Sequence, residues 1–389
     1  LKGDAHAYED SRAVLEAIHE AQCDSAWLGW GFASEKASFV SALEVAGITV
    51  LAPRPHTLSQ LGDKGRAQSY ADQAGFNLIP SLLIDLSEKV DPQFPNQALL
   101  THLLNQRLEQ AISNDELPPL PWLLKATEGG GGRGIFKWDE GHSDQQQVIQ
   151  WMTDATLSVI RAGLTPRFIL ETRLVMPRHI ELQILGDGQG HTLVLGAREC
   201  SVQRRHQKLI EECPPNNLAK RVLNKAIACA QNLGSTLEYR GVGTVELLYN
   251  SEREMLYFLE VNPRLQVEHP ITELVYGLDL IEAQIRVARG EALPSVPSPR
   301  GVAIEARLYA EDPSHEFIPT SGRLVRFRIP SGPGVRVDSG YQEGDHVEGN
   351  FDPMLAKVIA YTPTREATIL RLKQVLSSSQ VLIEGGAAN

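Results

Sequence analysis

Apolar positions at helical spacing open the chain: Val14, Leu15, Ile18 and Ala21 fall along one side of a helix over residues 11–21. Residues 25–28 follow as a short strand ending in Gly29-Trp30-Gly31, residues 39–46 as a second helix, and residues 48–51 as a second strand. This alternation predicts a parallel sheet. Thr57 is placed to cap a helix running through Leu61, and a further periodic stretch covers 66–74. Between 80 and 118, Pro92, Pro95 and Pro118 break the pattern around one helical run at 99–112. Strand alternation then takes over. Residues 122–126 lead into Glu128-Gly129-Gly130-Gly131-Gly132-Arg133-Gly134, and Ile135-Phe136 resumes extended structure. Residues 179–184 alternate polar with apolar, turn at Gly186-Asp187-Gly188, and return at 192–195, so the hairpin has one polar face. Residues 244–248 and 257–262 pair as another hairpin; a period of two sets Glu260 and Asn262 on one face, with Glu246 able to face them. Arg264, Gln266 and Glu268 alternate in turn and share a face if that segment is extended.

At 389 residues the chain holds two or three domains of roughly 150 residues each. With 42% hydrophobic and 22% charged residues it is an ordinary globular composition, which excludes disorder as the main state. Lys+Arg 37 against Asp+Glu 48 gives a net charge of -11, so neither nucleic acid nor an acidic membrane is an expected partner, and any polyanion site must be local. No apolar run approaches the roughly 20 residues that span a bilayer, and the first residues lack a basic-then-apolar leader. Cys23, Cys200, Cys213 and Cys229 form no C-x-x-C pair and read as reduced thiols in a cytoplasmic compartment. The chain opens without Met and already in a helix, so it is expected to be a piece of a longer protein, which leaves organellar targeting open.

Chemistry concentrates in four places. The glycine run reads as a linker or, lying between two strands, as a hairpin flap whose bare amides close over phosphates, with Lys125 and Arg133 supplying charge; it is not a Walker A loop. The run Gln203-Arg204-Arg205-His206-Gln207-Lys208 is either a solvated loop or a local anion site. Glu246, Glu260 and Asn262 offer hard oxygen ligands of the kind that hold magnesium against nucleotide phosphates, or they are the solvated face of an edge sheet. Arg264, Gln266 and Glu268 present a cation, an amide and a carboxylate suited to binding and deprotonating a small oxyanion. His269 reads equally as a packed structural residue, and Arg307 as a salt-bridged strand arginine.

Taken together these segments resemble the biotin carboxylase domain of biotin-dependent carboxylases, an ATP-grasp family. The matching strings are 29–35, Leu61-Gly62-Asp63-Lys64, 125–134, Arg178-His179, 199–212, 260–270, Glu305-Ala306-Arg307 and 351–357, in the family's order over nearly the whole chain. The resemblance implies an α/β and α+β fold: a partial Rossmann-like pre-ATP-grasp domain at 1–55, an ATP-grasp domain at 56–301 with a lid at about 79–171, and a β-rich C-terminal subdomain at 302–389. It implies ATP-dependent carboxylation of carrier-bound biotin by bicarbonate through carboxyphosphate, with Mg2+ or Mn2+. By motif, Lys64, Lys125, Gly130, Gly131, Gly132, Arg133, Gly134, His179, Gln203 and His206 would hold the nucleotide, with Glu171 and Leu174 in the adenine hinge. Glu246, Glu260 and Asn262 would bind the metal; Lys208, Arg264, Gln266 and Val267 would hold bicarbonate, with Glu268 as base. Arg307 would stabilise the biotin enolate, and Trp30 would lie near biotin.

The implied partners are a biotin carboxyl carrier and a carboxyltransferase, each a domain or a separate subunit, and a second copy of the chain in a homo-oligomer. No Met is followed by Lys, so the biotin-attachment motif is expected elsewhere. Trp30 replaces the Tyr usual in bacterial subunits and looks more like the large eukaryotic acetyl-CoA carboxylases. Two alternatives stay open: an inactive nucleotide-binding module within a carboxylase assembly, and another ATP-grasp ligase such as a carbamoyl-phosphate synthetase. The second would not be expected to carry Arg307 or the Gln203–Lys208 string.

Overall fold

The computed structural model describes residues 5–128, 134–139, 144–348 and 352–389. Helices Ser11–Glu20 and Ala37–Val45 pack with the parallel strands Ser25–Trp27 and Thr49–Leu51 around Phe39, Val40, Leu43, Ile48 and Val50. The next helix, Pro55–Gly62, departs from the expected cap. It begins at Pro55, whose fixed φ suits the first helical position, and Thr57 sits inside it with Oγ1 donating to Leu237 O at 3.3 Å.

A four-stranded antiparallel sheet follows, in the order Ser81–Asp85, Arg167–Thr172, Trp122–Ala126, Ile135–Trp138. Its apolar face is covered by helices Gln97–Ser113 and Gln145–Arg161. The strands flanking the glycine run are hairpin partners, and Ala126 N donates to Gly134 O at 2.9 Å where they close.

The remainder is organised by one nine-stranded sheet. Its strands, in chain order, are β1 (Asn77–Leu78), β2 (Arg178–Asp187), β3 (Thr192–Arg204), β4 (Gln207–Cys213), β5 (Arg240–Asn250), β6 (Met255–Asn262), β7 (Val302–Tyr309), β8 (Val335–Ser339) and β9 (Met354–Thr362). They lie in the order β8-β9-β7-β4-β3-β2-β5-β6-β1, all antiparallel except β6 with β1. Alternation decides the two faces. Ile180, Leu182, Ile184, Val245 and Leu247 pack beneath helices Lys64–Gln73 and Lys220–Thr236, each contributing roughly 1.5–3 kcal/mol by burial. The intervening Glu181, Gln183, Arg198, Thr244 and Glu246 share the opposite face, against helix His269–Tyr276. At Gly186 an added Cβ would lie 2.0 Å from Tyr239 O, so only glycine lets the chain pass there.

Beyond the sheet lie helices Leu280–Ala288 and Arg365–Ser378, the strand pair Glu311–Asp312 with Ile318–Pro319, and a small sheet of Gly322–Arg328 between His346–Val347 and Gln380–Ile383. Among the described residues no helix is long and apolar enough to cross a membrane.

Candidate active site

Register brings the acidic residues together. Glu181 on β2, Glu246 on β5 and Glu260 on β6 are successive cross-strand partners, and Thr244 and Asn262 pair two residues away on the same face. On β4 a bulge between Lys208 and Ile210 shifts the alternation, so Lys208 and Glu211 point the same way despite their odd spacing.

The Lys208 ammonium is the hub. It pairs with Glu181, lies 3.0 Å from Glu246 Oε1, and lies 2.9 Å from Glu268 Oε1. The other oxygen of Glu268 accepts from Arg307 Nη2 at 2.9 Å, so a fully buried carboxylate is clamped between two cations. Burial works to raise the Glu268 carboxyl, but Lys208, Arg307 and Arg198 hold it well below the ordinary carboxylate range. Glu246 is likewise held down to about 2, burial being outweighed by Lys208 and His179. Beneath them Arg198, fully buried, donates to Glu181 Oε2 at 3.0 and 3.1 Å, to Gln183 Oε1 at 2.7 Å and to the hydroxyls of Thr272 and Thr244 at 3.0 and 3.2 Å. Neither Glu181 nor Arg198 is in the sequence-predicted set; only the register of β2 on β3 reveals the pair.

The segment after β6 is not extended. It turns, and Glu268 (φ −82°, ψ 7°) stands at the start of helix His269–Tyr276, because Pro270 sits at that helix's first turn and fixes its entry. The three side chains still converge: Arg264 Nη1 donates to Gln266 Oε1 at 3.2 Å, and Gln266 Nε2 approaches Glu246 Oε1 at 3.4 Å. Arg264 also pairs with Glu35, which ties the N-terminal Gly29–Glu35 segment to this loop. Lys357, almost fully buried, donates to Val267 O at 2.8 Å, lies 3.3 Å from Asp338 Oδ2, and sits 5.8 Å from the ring centroid of the half-exposed Trp30.

Next to this cluster, Gln203 Nε2 lies 3.0 Å from His179 Nδ1. His179 Nε2 is 2.9 Å from Glu246 Oε2, near enough for an ion pair but off the line of a straight hydrogen bond. Burial opposes a charge on His179, yet Glu246 and Glu181 raise its pKa above the ordinary histidine value. Lys125 pairs with Glu171. Burial, then Lys125, lowers Lys64 against the pull of Glu260 and Glu171, which places these groups in one field. Leu174 is half-buried just past the strand Arg167–Thr172. Of the basic run, Arg204 pairs with Glu311 and Arg205 with Glu316 at 3.0 Å, so those charges are spent within the chain. His206 is exposed at the turn, with φ 67°. Gly130, Gly131, Gly132 and Arg133 lie outside the described residues.

Among the described residues three donor sets could take a divalent cation, and in one of them, Glu181, Cys200 and Glu268, the Lys208 ammonium already pairs with both carboxylates. His179, Glu181 and Glu246 bring ligand atoms within 4.8 Å of one another, but the Lys208 ammonium already occupies the position a cation would take there. Glu246, Glu260 and Asn262 fit better. Burial and then Glu246 push the Glu260 carboxyl up against the pull of Lys64 and Lys125, and Asn262 Nδ2 donates to Glu246 Oε1 at 2.8 Å, which leaves its carbonyl oxygen as a hard donor.

Three family profiles match: biotin carboxylase, N-terminal domain, at residues 2–58; carbamoyl-phosphate synthase L chain, ATP binding domain, at 98–296; and biotin carboxylase C-terminal domain at 305–388. The chain is 35% identical over 378 residues to the mitochondrial methylcrotonoyl-CoA carboxylase subunit alpha of Glycine max, covering 96% of this chain and 49% of that one. It is 36% identical over 396 residues to the biotin carboxylase of Halalkalibacterium halodurans, covering 99% and 80%. The chain thus spans about half the length of the soybean relative. Its fold superposes with TM-score 0.83 and 29% identity on the biotin carboxylase domain of Hydrogenobacter thermophilus 2-oxoglutarate carboxylase, solved as a dimer with MgADP, ADP and bicarbonate, covering 97% of this chain and 78% of that one. Matched from its first domain to its last, with the ATP-grasp fold to go with it, the chain belongs to the biotin carboxylase family.

Proposed function

We propose that the chain carboxylates carrier-bound biotin with bicarbonate at the expense of ATP, and that Glu268, held at 2.9 Å by both Lys208 and Arg307, is the residue where its two half-reactions meet. Lys64, Lys125, His179 and Gln203 hold the nucleotide, with Glu171 and Leu174 beside the adenine and residues 130–134 of the glycine run as ligands of its phosphates. Glu246, Glu260 and Asn262 hold Mg2+, which when bound neutralises the phosphate oxygens. The MgADP and bicarbonate of the Hydrogenobacter structure support this choice of ligands.

Bicarbonate is a poor nucleophile and needs both a base and a cationic seat. Lys208, Arg264, Gln266 and the Val267 backbone supply the seat. A carboxylate held as low as Glu268 is a weak base, and bicarbonate itself answers this: its charge takes a share of the Lys208 ammonium, loosens that hold on Glu268, and lets the carboxylate accept the bicarbonate proton. The oxygen left charged attacks the γ-phosphorus, ADP departs, and carboxyphosphate forms in a site screened from water. Carboxyphosphate then breaks into CO2 and phosphate, the phosphate takes the ureido N–H proton of biotin, and the nitrogen left charged attacks CO2 while Arg307, released as Glu268 becomes neutral, turns its free edge to the enolate oxygen, with Trp30 beside the ring.

A biotin carboxyl carrier, a carboxyltransferase and a second copy of the chain are the partners in this reading, and the compartment is a reducing one, cytosolic or organellar. ADP release by the chain with Mg-ATP and bicarbonate, with and without free biotin, tests it. Biotin should stimulate release, and Glu268→Gln should lower it by about 10²–10⁴-fold while ATP still binds; release indifferent to bicarbonate, or unchanged in Glu268→Gln, defeats the assignment.

A further inference from the structure

One buried acid pair stands against Arg307 and takes no part in the chemistry above. Glu211 on β4 and Glu305 on β7 are direct cross-strand partners, which sets their Cβ atoms about 5 Å apart, and both are fully buried. Glu211 Oε1 accepts from Arg307 Nε at 2.6 Å. Glu211 Oε2 and both oxygens of Glu305 have no hydrogen-bond partner among the described residues. The charged groups facing the pair are Arg307, Lys208, Lys357 and Glu268. Each cation is engaged elsewhere: Arg307 also with Glu268, Lys208 with Glu181, Glu246 and Glu268, and Lys357 with Val267 O and Asp338. Two facing carboxylates with one guanidinium edge between them do not both stay ionised out of water. A proton is the missing partner, since an acid O–H donated across the pair satisfies two of the three orphaned oxygens.

We propose that Glu211 and Glu305 hold one proton between them, the negative charge resting on Glu211, and that this pair is the positioning device that keeps the Arg307 guanidinium aimed for biotin carboxylation. Burial and then Glu211 push the Glu305 carboxyl well above the ordinary range, and burial also raises Glu211, to about 7, against the pull of Arg307. The need for a second anchor follows from the reaction assigned above, on which this consequence rests. Once Glu268 has taken the bicarbonate proton it no longer holds Arg307 Nη2 firmly, and Glu211, bonded to Nε, keeps the guanidinium plane fixed while that edge turns to the enolate.

The test compares the wild-type chain with Glu305→Gln, Glu211→Gln and Glu211→Asp, each checked for folding by circular dichroism. Infrared difference spectra at neutral pH should show the C=O stretch of a protonated carboxyl that Glu305→Gln removes. Glu305→Gln puts a neutral amide where a neutral acid stood and should keep most of the biotin-dependent ADP release. Glu211→Gln should lose about 100-fold in biotin-dependent kcat while the bicarbonate-dependent release measured without biotin holds, and Glu211→Asp should recover part of the loss. The pair is refuted if no protonated-carboxyl signal disappears, if Glu305→Gln falls as far as Glu211→Gln, or if Glu211→Gln depresses both activities together. A wild-type chain that ignores bicarbonate defeats the assigned reaction instead, and the infrared signal still decides whether the proton is shared.

Discussion

Arg198 shows how much of this site rests on charges that never meet the solvent. Its guanidinium neutralises Glu181 and satisfies Gln183, Thr244 and Thr272 at once. Arg198→Met, similar in length but uncharged, should therefore cost about 3–5 kcal/mol in urea unfolding, because it strands Glu181 beneath Lys208; a loss under about 1 kcal/mol would mean the cluster is wetter than its geometry indicates. His269 makes a separate prediction. Burial and then Lys357 push its pKa down to about 3, from 6.5 in an unfolded chain, and Nδ1 lies 2.8 Å from Gln266 O. The native state then binds fewer protons than the unfolded state below pH 6.5, so this contribution to stability is whole above 6.5 and is lost as the pH falls toward 3. Between pH 6.5 and pH 5.5 the wild type should lose about 1 kcal/mol relative to His269→Gln, and parallel curves would contradict the shift. At this scale the sequence was partly legible. Alternation singled out Arg264, Gln266 and Glu268, and they do converge, though through a turn rather than a strand. Glu181 and Arg198 were not legible, since a lone charge in an apolar strand acquires a meaning only from the strand opposite it.

Strands and helices with strong periodicity stand where the pattern set them: the expected 122–126 is the strand Trp122–Ala126, and the expected 99–112 lies inside the helix Gln97–Ser113. The proline-rich stretch hid the strand Ser81–Asp85 because its pairing partner, Arg167–Thr172, is more than eighty residues away and nothing local announces it. The β4 bulge was equally silent: without it, Lys208 and Glu211 would fall on opposite faces. Glycine positions mark where one element crosses another. Gly186→Ala would drive a methyl into the Tyr239 carbonyl, a backbone atom that cannot rotate aside, and should destabilise the chain by about 1–3 kcal/mol in the same unfolding experiment. No change would mean that β2 and the turn before β5 can slide apart.

Over the whole molecule, one sheet runs from β1 and β6 through β7 and β9 without a break, so Glu181, Glu246 and Glu260 on β2, β5 and β6 and Arg307 on β7 are carried by a single scaffold. That continuity is what lets a carboxylate on the loop between them touch Lys208 on one side and Arg307 on the other. The chain spans about half the length of its soybean relative. The most direct test of the proposed reaction is transfer of label from isotopic bicarbonate to free biotin by the chain with Mg-ATP, followed as an acid-labile product. Label on biotin in step with ADP formed is the expected result, lost together in Glu268→Gln; ADP formed from ATP with no label reaching biotin would contradict it.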